Sequence, residues 1–279
     1  MSQMQRFKTH CMATQFRLTI PQGDQRDNGL IAEEMFDELR RLELLLSRFA
    51  PGAEIKRLND AGLNQQVKVE PELFAVLEDC LKWNALTSGF FNPSYMSPNT
   101  DFQQVLTLDS TSGTATINFE ESMIDLGGYG KGYALDRLNR IAQKYGLESA
   151  LLDFGGSSLL SIGFAPERPW QARVEFTELQ FAFQNEAVAS SVLSNKPSGT
   201  VDIVDPVGGK PPQPLAITVV GPQALNTEVV ATTAVAMGEE RFREWFLYTD
   251  DARLAGMRFV TFDPTNPPAQ PAWTNRNDV

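Results

Sequence analysis

The chain has 279 residues, 42% of them hydrophobic, and a formal net charge of −11. That length can bury a large core, and no run of about 18 apolar residues offers a membrane-spanning helix. The acidic balance argues against nucleic-acid partners, and a single histidine, His10, nearly excludes His-based zinc sites and a Ser-His-Asp triad. Any metal is then held mainly by oxygen, which favours Mg²⁺ or Ca²⁺. Cys11 and Cys80 are too few for a disulfide framework. The stretch MSQMQRFKTH has no apolar leader. This points to the cytoplasm, with a periplasmic location left open if a leader has been removed.

Phe16, Leu18 and Ile20 alternate with polar residues, as in a half-buried strand ended by Pro21. A helix is expected after Asp27, with Ile31, Met35, Leu39, Leu42 and Leu46 at helical spacing. Ser47-Arg48-Phe49 and a Pro51-Gly52 break lead into AEIKRLN, read as a loop closing at Asn59. Val67 and Val69 suggest a short strand. Pro71 starts a second helix carrying Leu73, Leu77, Leu81 and Trp83, stopped by Gly89. Phe90-Phe91-Asn92-Pro93 follows. Residues 105–108 and 114–119 form a hairpin around Ser112-Gly113.

IDLGGYGKGYALD, residues 124–136, is the densest motif. It reads as a glycine turn opening a helix that carries Ala134, Leu138 and Ile141 and stops at Gly146. Glycine permits φ > 0 and close backbone approach, and a helix N-terminus suits a phosphate. A P-loop would need Ser or Thr after Lys131, where Gly132 stands, and the dinucleotide fingerprint spacing also fails. Strands are expected at 150–154, within 170–183, at 187–191, 201–206, 215–220 and 257–262. Helices are expected at 228–237, stopped by Gly238, and around Phe242 and Phe246. The pattern indicates an α+β fold, with a single domain over 1–262 and a proline-rich tail over 263–279.

The order of motifs carries more than any one of them. Met12-Ala13-Thr14, Ser47-Arg48-Phe49, AEIKRLN, Gly89-Phe90-Phe91-Asn92-Pro93, DLGGYGKGYALD, LLDFGGS, DIVDPVGG and EVVATTAVAMG run in sequence. Across residues 8–246 the chain resembles the FAD:protein FMN transferase (ApbE) family. The resemblance implies antiparallel sheets with flanking helices in two interlocked lobes. It implies binding of FAD, a divalent metal, usually Mg²⁺, and transfer of FMN to a threonine hydroxyl of a partner protein with release of AMP.

Residue by residue, the resemblance assigns flavin contacts to Met12, Phe49, Phe90, Phe91 and Asn92. It assigns further cofactor contacts to Gly127, Tyr133 and Ile203. The metal set matches the Gly130 carbonyl, Glu228 and Thr232, and the catalytic set Lys131 and Asp202. Asp125 and Asp136 match acids that frame the glycine motif. Glu228 and Thr232 are four apart, which puts both on one helix face. Several positions depart from the family pattern. The metal Asp is Glu228, the His before Ile203 is Asp202, the Asp after Gly-Gly is Ser157, the acid before Pro93 is Asn92, and the Thr-Ser-Gly usual after the small-residue strand is Ser190-Ser191-Val192. An acid at 202 weakens pyrophosphate binding unless a metal or Lys131 compensates. Two alternatives therefore stand beside transfer: a flavin-binding protein without turnover, and a degenerate member acting through protein contacts.

Overall fold

Apolar–polar alternation pairs the first two strands. In the computed structural model, which describes residues 3–22, 27–97, 101–166, 168–173, 180–193, 215–264, 266 and 272–276, β1 (Met4–Cys11) and β2 (Thr14–Pro21) form a hairpin that buries Phe16, Leu18 and Ile20. Its two-residue turn puts Met12 at φ 49° and Ala13 at φ 59°. Positive φ at both turn positions matches the strand twist but crowds a Cβ. Then α1 (Asn28–Leu46) starts where Asp27 accepts from the Gly29 and Leu30 N–H groups. Its buried face carries Ile31, Met35, Leu39 and Leu42, and each such side chain contributes about 2 kcal/mol of hydrophobic stabilisation.

AEIKRLN is not a loop. Glu54–Asn59 is a short helix, α2. Ile55 and Leu58 supply its buried side, three residues apart, a spacing too short to stand out by periodicity. The chain continues through β3 (Val67–Lys68), α3 (Pro71–Leu86), α4 (Phe102–Val105), β4 (Leu106–Asp109) and β5 (Thr114–Ile117). A three-stranded sheet in the order β3-β5-β4 results. Cys80 lies fully buried in α3, where burial pushes its thiol well above the usual range.

Helix α5 (Gly127–Lys144) precedes β6 (Ala150–Phe154), β7 (Ser158–Ile162), β8 (Trp170–Arg173), β9 (Gln180–Phe183) and β10 (Ala187–Val192). After residues 194–214 come β11 (Ala216–Gly221), α6 (Ala224–Met237), α7 (Glu239–Tyr248), β12 (Arg258–Phe262) and β13 (Thr274–Asn275). The strand expected at 201–206 lies outside the described residues. The main sheet has the order β1-β2-β6-β7-β10-β11-β12-β13, and its neighbours are antiparallel. One face packs on α1, α5 and α6 through Phe16, Leu152, Phe154, Ala189 and Val219. The β8–β9 hairpin covers part of the other face, over Leu159, Val188 and Val220. Among the described residues no helix is long and apolar enough to cross a membrane.

The glycine motif is not a turn. Its glycines lie in the first turns of α5, and none of Gly127, Gly128, Gly130 and Gly132 has positive φ. Their use is close packing. A Cβ on Gly132 would lie 2.6 Å from the Ala224 carbonyl oxygen and 2.8 Å from Glu228 Cβ. A Cβ on Gly128 would lie 2.9 Å from Thr232 Cγ2. Four residues on, Asp136 accepts from the Ala224 and Leu225 N–H groups at 3.0 and 2.9 Å, capping α6 from a neighbouring helix. Burial raises the Asp136 carboxyl above its ordinary range, against the pull of those two donors. Asp136 is therefore structural rather than a surface acid.

Gly132→Ala forces backbone apart, because the obstacle is a carbonyl rather than a flexible side-chain tip. Urea unfolding should show a loss of about 3 kcal/mol. Ala13→Gly relieves the left-handed alanine, and the same measurement should show a gain of about 1 kcal/mol, net of the greater freedom of glycine in the unfolded chain.

Candidate functional site

Several of the sequence motifs converge on the segment leading into α5. Asn59, at the end of α2, grips Ile124 from both sides: its Nδ2 donates to the Ile124 carbonyl and its Oδ1 accepts from the Ile124 N–H, both at 2.9 Å. The Asp125 N–H donates to the Pro93 carbonyl at 2.8 Å, which ties in the loop after α3. The Asp125 carboxylate accepts from the Gly127 N–H at 2.8 Å and pairs with Arg48 Nε at 2.8 Å. Arg48 in turn lies over the Phe49 ring, 3.9 Å from its centroid. The first N–H of the helix is thus already taken by a carboxylate. The next one, on Gly128, has no partner among the described residues.

Two cavities flank this helix start and share Asp125, Gly127 and Lys131 in their walls. The smaller, about 230 Å³, is lined by Phe90, Phe91, Asn92, Gly128, Glu228 and Thr232 among others. The larger, about 510 Å³, is mostly apolar and includes Met12, Leu46, Phe49 and Gly130. Phe49 is 66% exposed at its edge. The Met12 N–H is held by Glu43 Oε1 at 2.9 Å, which fixes the hairpin tip beside α1. The loop carrying Asn92 is also held. Asn84 Nδ2 donates to the Phe91 carbonyl, and Asn92 Oδ1 accepts from the Ser94 N–H and hydroxyl, all at 2.8 Å.

Lys131 is the centre of the polar part. Its Nζ lies 3.0 Å from Glu228 Oε1 and donates to Ser158 Oγ at 2.9 Å and Ser157 Oγ at 3.2 Å. Ser158 Oγ donates to Glu228 Oε2 at 2.6 Å. Glu228 is 6% exposed, so its charge depends on these two partners. Small neighbours make the approach possible, since Glu228 Cβ occupies the space that a side chain at 132 would take.

Of the residues assigned from the motifs, the structure brings Met12, Phe49, Phe90, Phe91, Asn92, Gly127, Gly130, Lys131, Glu228 and Thr232 to the walls of these two cavities. Tyr133 lines neither. Its hydroxyl donates to Glu72 Oε1 at 2.7 Å, its ring stacks on Tyr129, and burial with the Glu72 bond pushes its phenol up to about 12. Asp202 and Ile203 lie outside the described residues. The sequence does not single out Ser158 or Arg48 as site residues: Arg48 lies within Ser47-Arg48-Phe49, whereas nothing in the sequence distinguishes Ser158 from its neighbour Ser157.

Removing the ammonium should strand a buried carboxylate. Lys131→Met should cost about 3 kcal/mol by urea unfolding. The double variant Lys131→Met/Glu228→Gln should recover most of that loss, and a double-mutant cycle measures the coupling.

The profile that describes the ApbE family matches residues 12–254. A FAD:protein FMN transferase of Treponema pallidum is 24% identical over 259 residues, covering 75% of this chain and 72% of the relative. One from Escherichia coli K12 is 23% identical, covering 84% and 78%. The crystal structure of the ApbE protein of Thermotoga maritima superposes with a TM-score of 0.82 at 20% identity, covering 98% of this chain and 97% of that one. The flavin transferase ApbE of Vibrio cholerae superposes with a TM-score of 0.77 at 18% identity, with 93% of each chain covered. With the fold matched along nearly its whole length and the family profile spanning its motifs, this chain belongs to the ApbE family.

Proposed function

We propose that the chain binds FAD and transfers its FMN half to a threonine hydroxyl of a protein, releasing AMP. The observation that carries this reading is the pair of cavities meeting at the start of α5, one largely apolar and one holding Lys131, Glu228 and Thr232. FAD has the same division, with a flat ring system and a charged pyrophosphate. The names of the curated relatives support the same chemistry.

In this reading Met12, Phe49, Phe90, Phe91 and Asn92 contact the flavin. Lys131 Nζ and the unpartnered Gly128 N–H donate to the pyrophosphate, as a helix N-terminus favours. The threonine oxygen attacks the phosphorus of the FMN half, the bridging P–O bond to AMP breaks, and the hydroxyl proton passes to a base. Asp202, matched to the catalytic set, lies outside the described residues. Transfer of this kind is mostly positioning and charge neutralisation.

The donor set fits a divalent cation only in company with a pyrophosphate. Glu228 and Thr232 offer oxygens to one cavity, but among the described residues no three His, Cys, Asp or Glu side chains gather to hold an ion. Mg²⁺ commonly takes one or two carboxylates and completes its shell with substrate phosphates and water. Glu228, Thr232 and the Gly130 carbonyl would hold it, and it would supply neutralisation of charge on the phosphates. A second reading, flavin binding without turnover, draws on Glu228 being already engaged by Lys131 and Ser158.

Incubation with FAD, Mg²⁺ and a threonine peptide should give a peptide heavier by FMN, with AMP released. Glu228→Ala and Thr232→Ala should each lower the rate about 100-fold. Bound FAD with neither product would favour the second reading, and no FAD binding would overturn both.

A further inference from the structure

Carboxylates outnumber cations in this chain, 35 Asp and Glu against 24 Lys and Arg, yet one strip of its surface is basic. Strand alternation puts Arg6, Lys8 and His10 on the exposed face of β1. Register sets Lys8 directly opposite Arg17, with Arg6 opposite Thr19 and His10 opposite Gln15. Like charges facing each other across a strand pair are destabilising. On β6, the next strand, the register brings one carboxylate to this face, Asp153 beside Arg17, and Arg17 takes it at 3.0 Å. Arg6 and Lys8 have no ion-pair partner among the described residues.

The strip has a defined start and end. Near one end Arg6 and Arg168 line an open groove of about 580 Å³ with Trp170, and no carboxylate is in its described lining. At the other end His10 lines the larger site cavity, whose wall holds the cations Arg48 and Lys131 beside the carboxylates Glu43 and Asp125. Extended chain covers the step from Arg6 to His10 in about 13 Å.

We infer that this strip docks an acidic segment of the protein that receives FMN, guiding it from the Arg168 groove to the mouth of the site. The identity of the partner as an FMN acceptor rests on the transfer reading above; the charge complementarity does not. A membrane or nucleic acid presents a broad anionic surface, which would also face the carboxylates of a molecule with net charge −11. A narrow acidic peptide meets the strip alone. Lysine on an edge strand can instead deter pairing with another sheet, and β1 is an edge. That role does not call for Arg168 in a groove across from Arg6, nor for Arg17 set against Lys8.

The test is fluorescence anisotropy with a labelled peptide of alternating Glu and Ser around one Thr, without FAD. The wild-type chain should bind it in a salt-sensitive way. The triple variant Arg6→Glu/Lys8→Glu/Arg168→Glu should bind at least about ten-fold more weakly. Circular dichroism and FAD binding should be unchanged, since none of the three lines the candidate site. Equal binding by wild type and variant would overturn the proposal, as would tighter wild-type binding of anionic vesicles or of a DNA oligomer than of the peptide. Failure of wild type to transfer FMN would count against the transfer reading alone, because peptide binding is read without FAD.

Discussion

The contact between α5 and α6 is the constraint on which the site depends. Gly128, Gly132 and Asp136 stand four residues apart on one face of α5, and they meet Thr232, Glu228 and the first N–H groups of α6 in turn. The two helices therefore run antiparallel at a distance that a Cβ would forbid. At that distance Lys131 reaches Glu228 without strain on either backbone. The same cap that satisfies the start of α6 fixes the level at which Glu228 and Thr232 enter the cavity. Stability and site geometry are here one arrangement, so a change that loosens the crossing alters both.

Charge in the site is arranged around that crossing. Glu228 is buried with Lys131 and Ser158, and Asp125 with Arg48 and the Gly127 N–H. Both of these carboxylates face a cation, which offsets their charge where the two cavities meet. Among the described residues the Gly128 N–H at the helix start has no partner, and the ammonium of Lys131 stands beside it in the wall of the smaller cavity. An anion entering such a place meets prearranged donors and little repulsion. The Glu228 carboxylate reaches Ser158, and the Ser157 hydroxyl gives Lys131 a further oxygen partner.

Motif order and strand or helix periodicity are properties of short stretches, and they were legible. The strands at 16–20, 150–154, 187–191, 215–220 and 257–262, the helices after Asp27 and Pro71, and the α+β class all follow from local patterning. The short α2 was not legible, because six residues leave room for only two buried positions. The strand β1 was not either, since its outward face carries Arg6, Lys8 and His10 and its inward face only Phe7 and weakly apolar neighbours. The glycine motif suggests a turn by itself, because glycine most often marks φ > 0. Its actual reason, space for another helix, depends on residues about a hundred positions away.

The amino-acid sequence by itself determined the family, the main elements and which side chains could carry chemistry, because these are written in local pattern and motif order. Tertiary structure alone decided which of them meet. It set Glu228 against Lys131 and Ser158, turned Tyr133 away to Glu72, and made Asp136 a cap for a distant helix. Such pairings bring together residues far apart in the chain, and only packing at the α5–α6 crossing selects them.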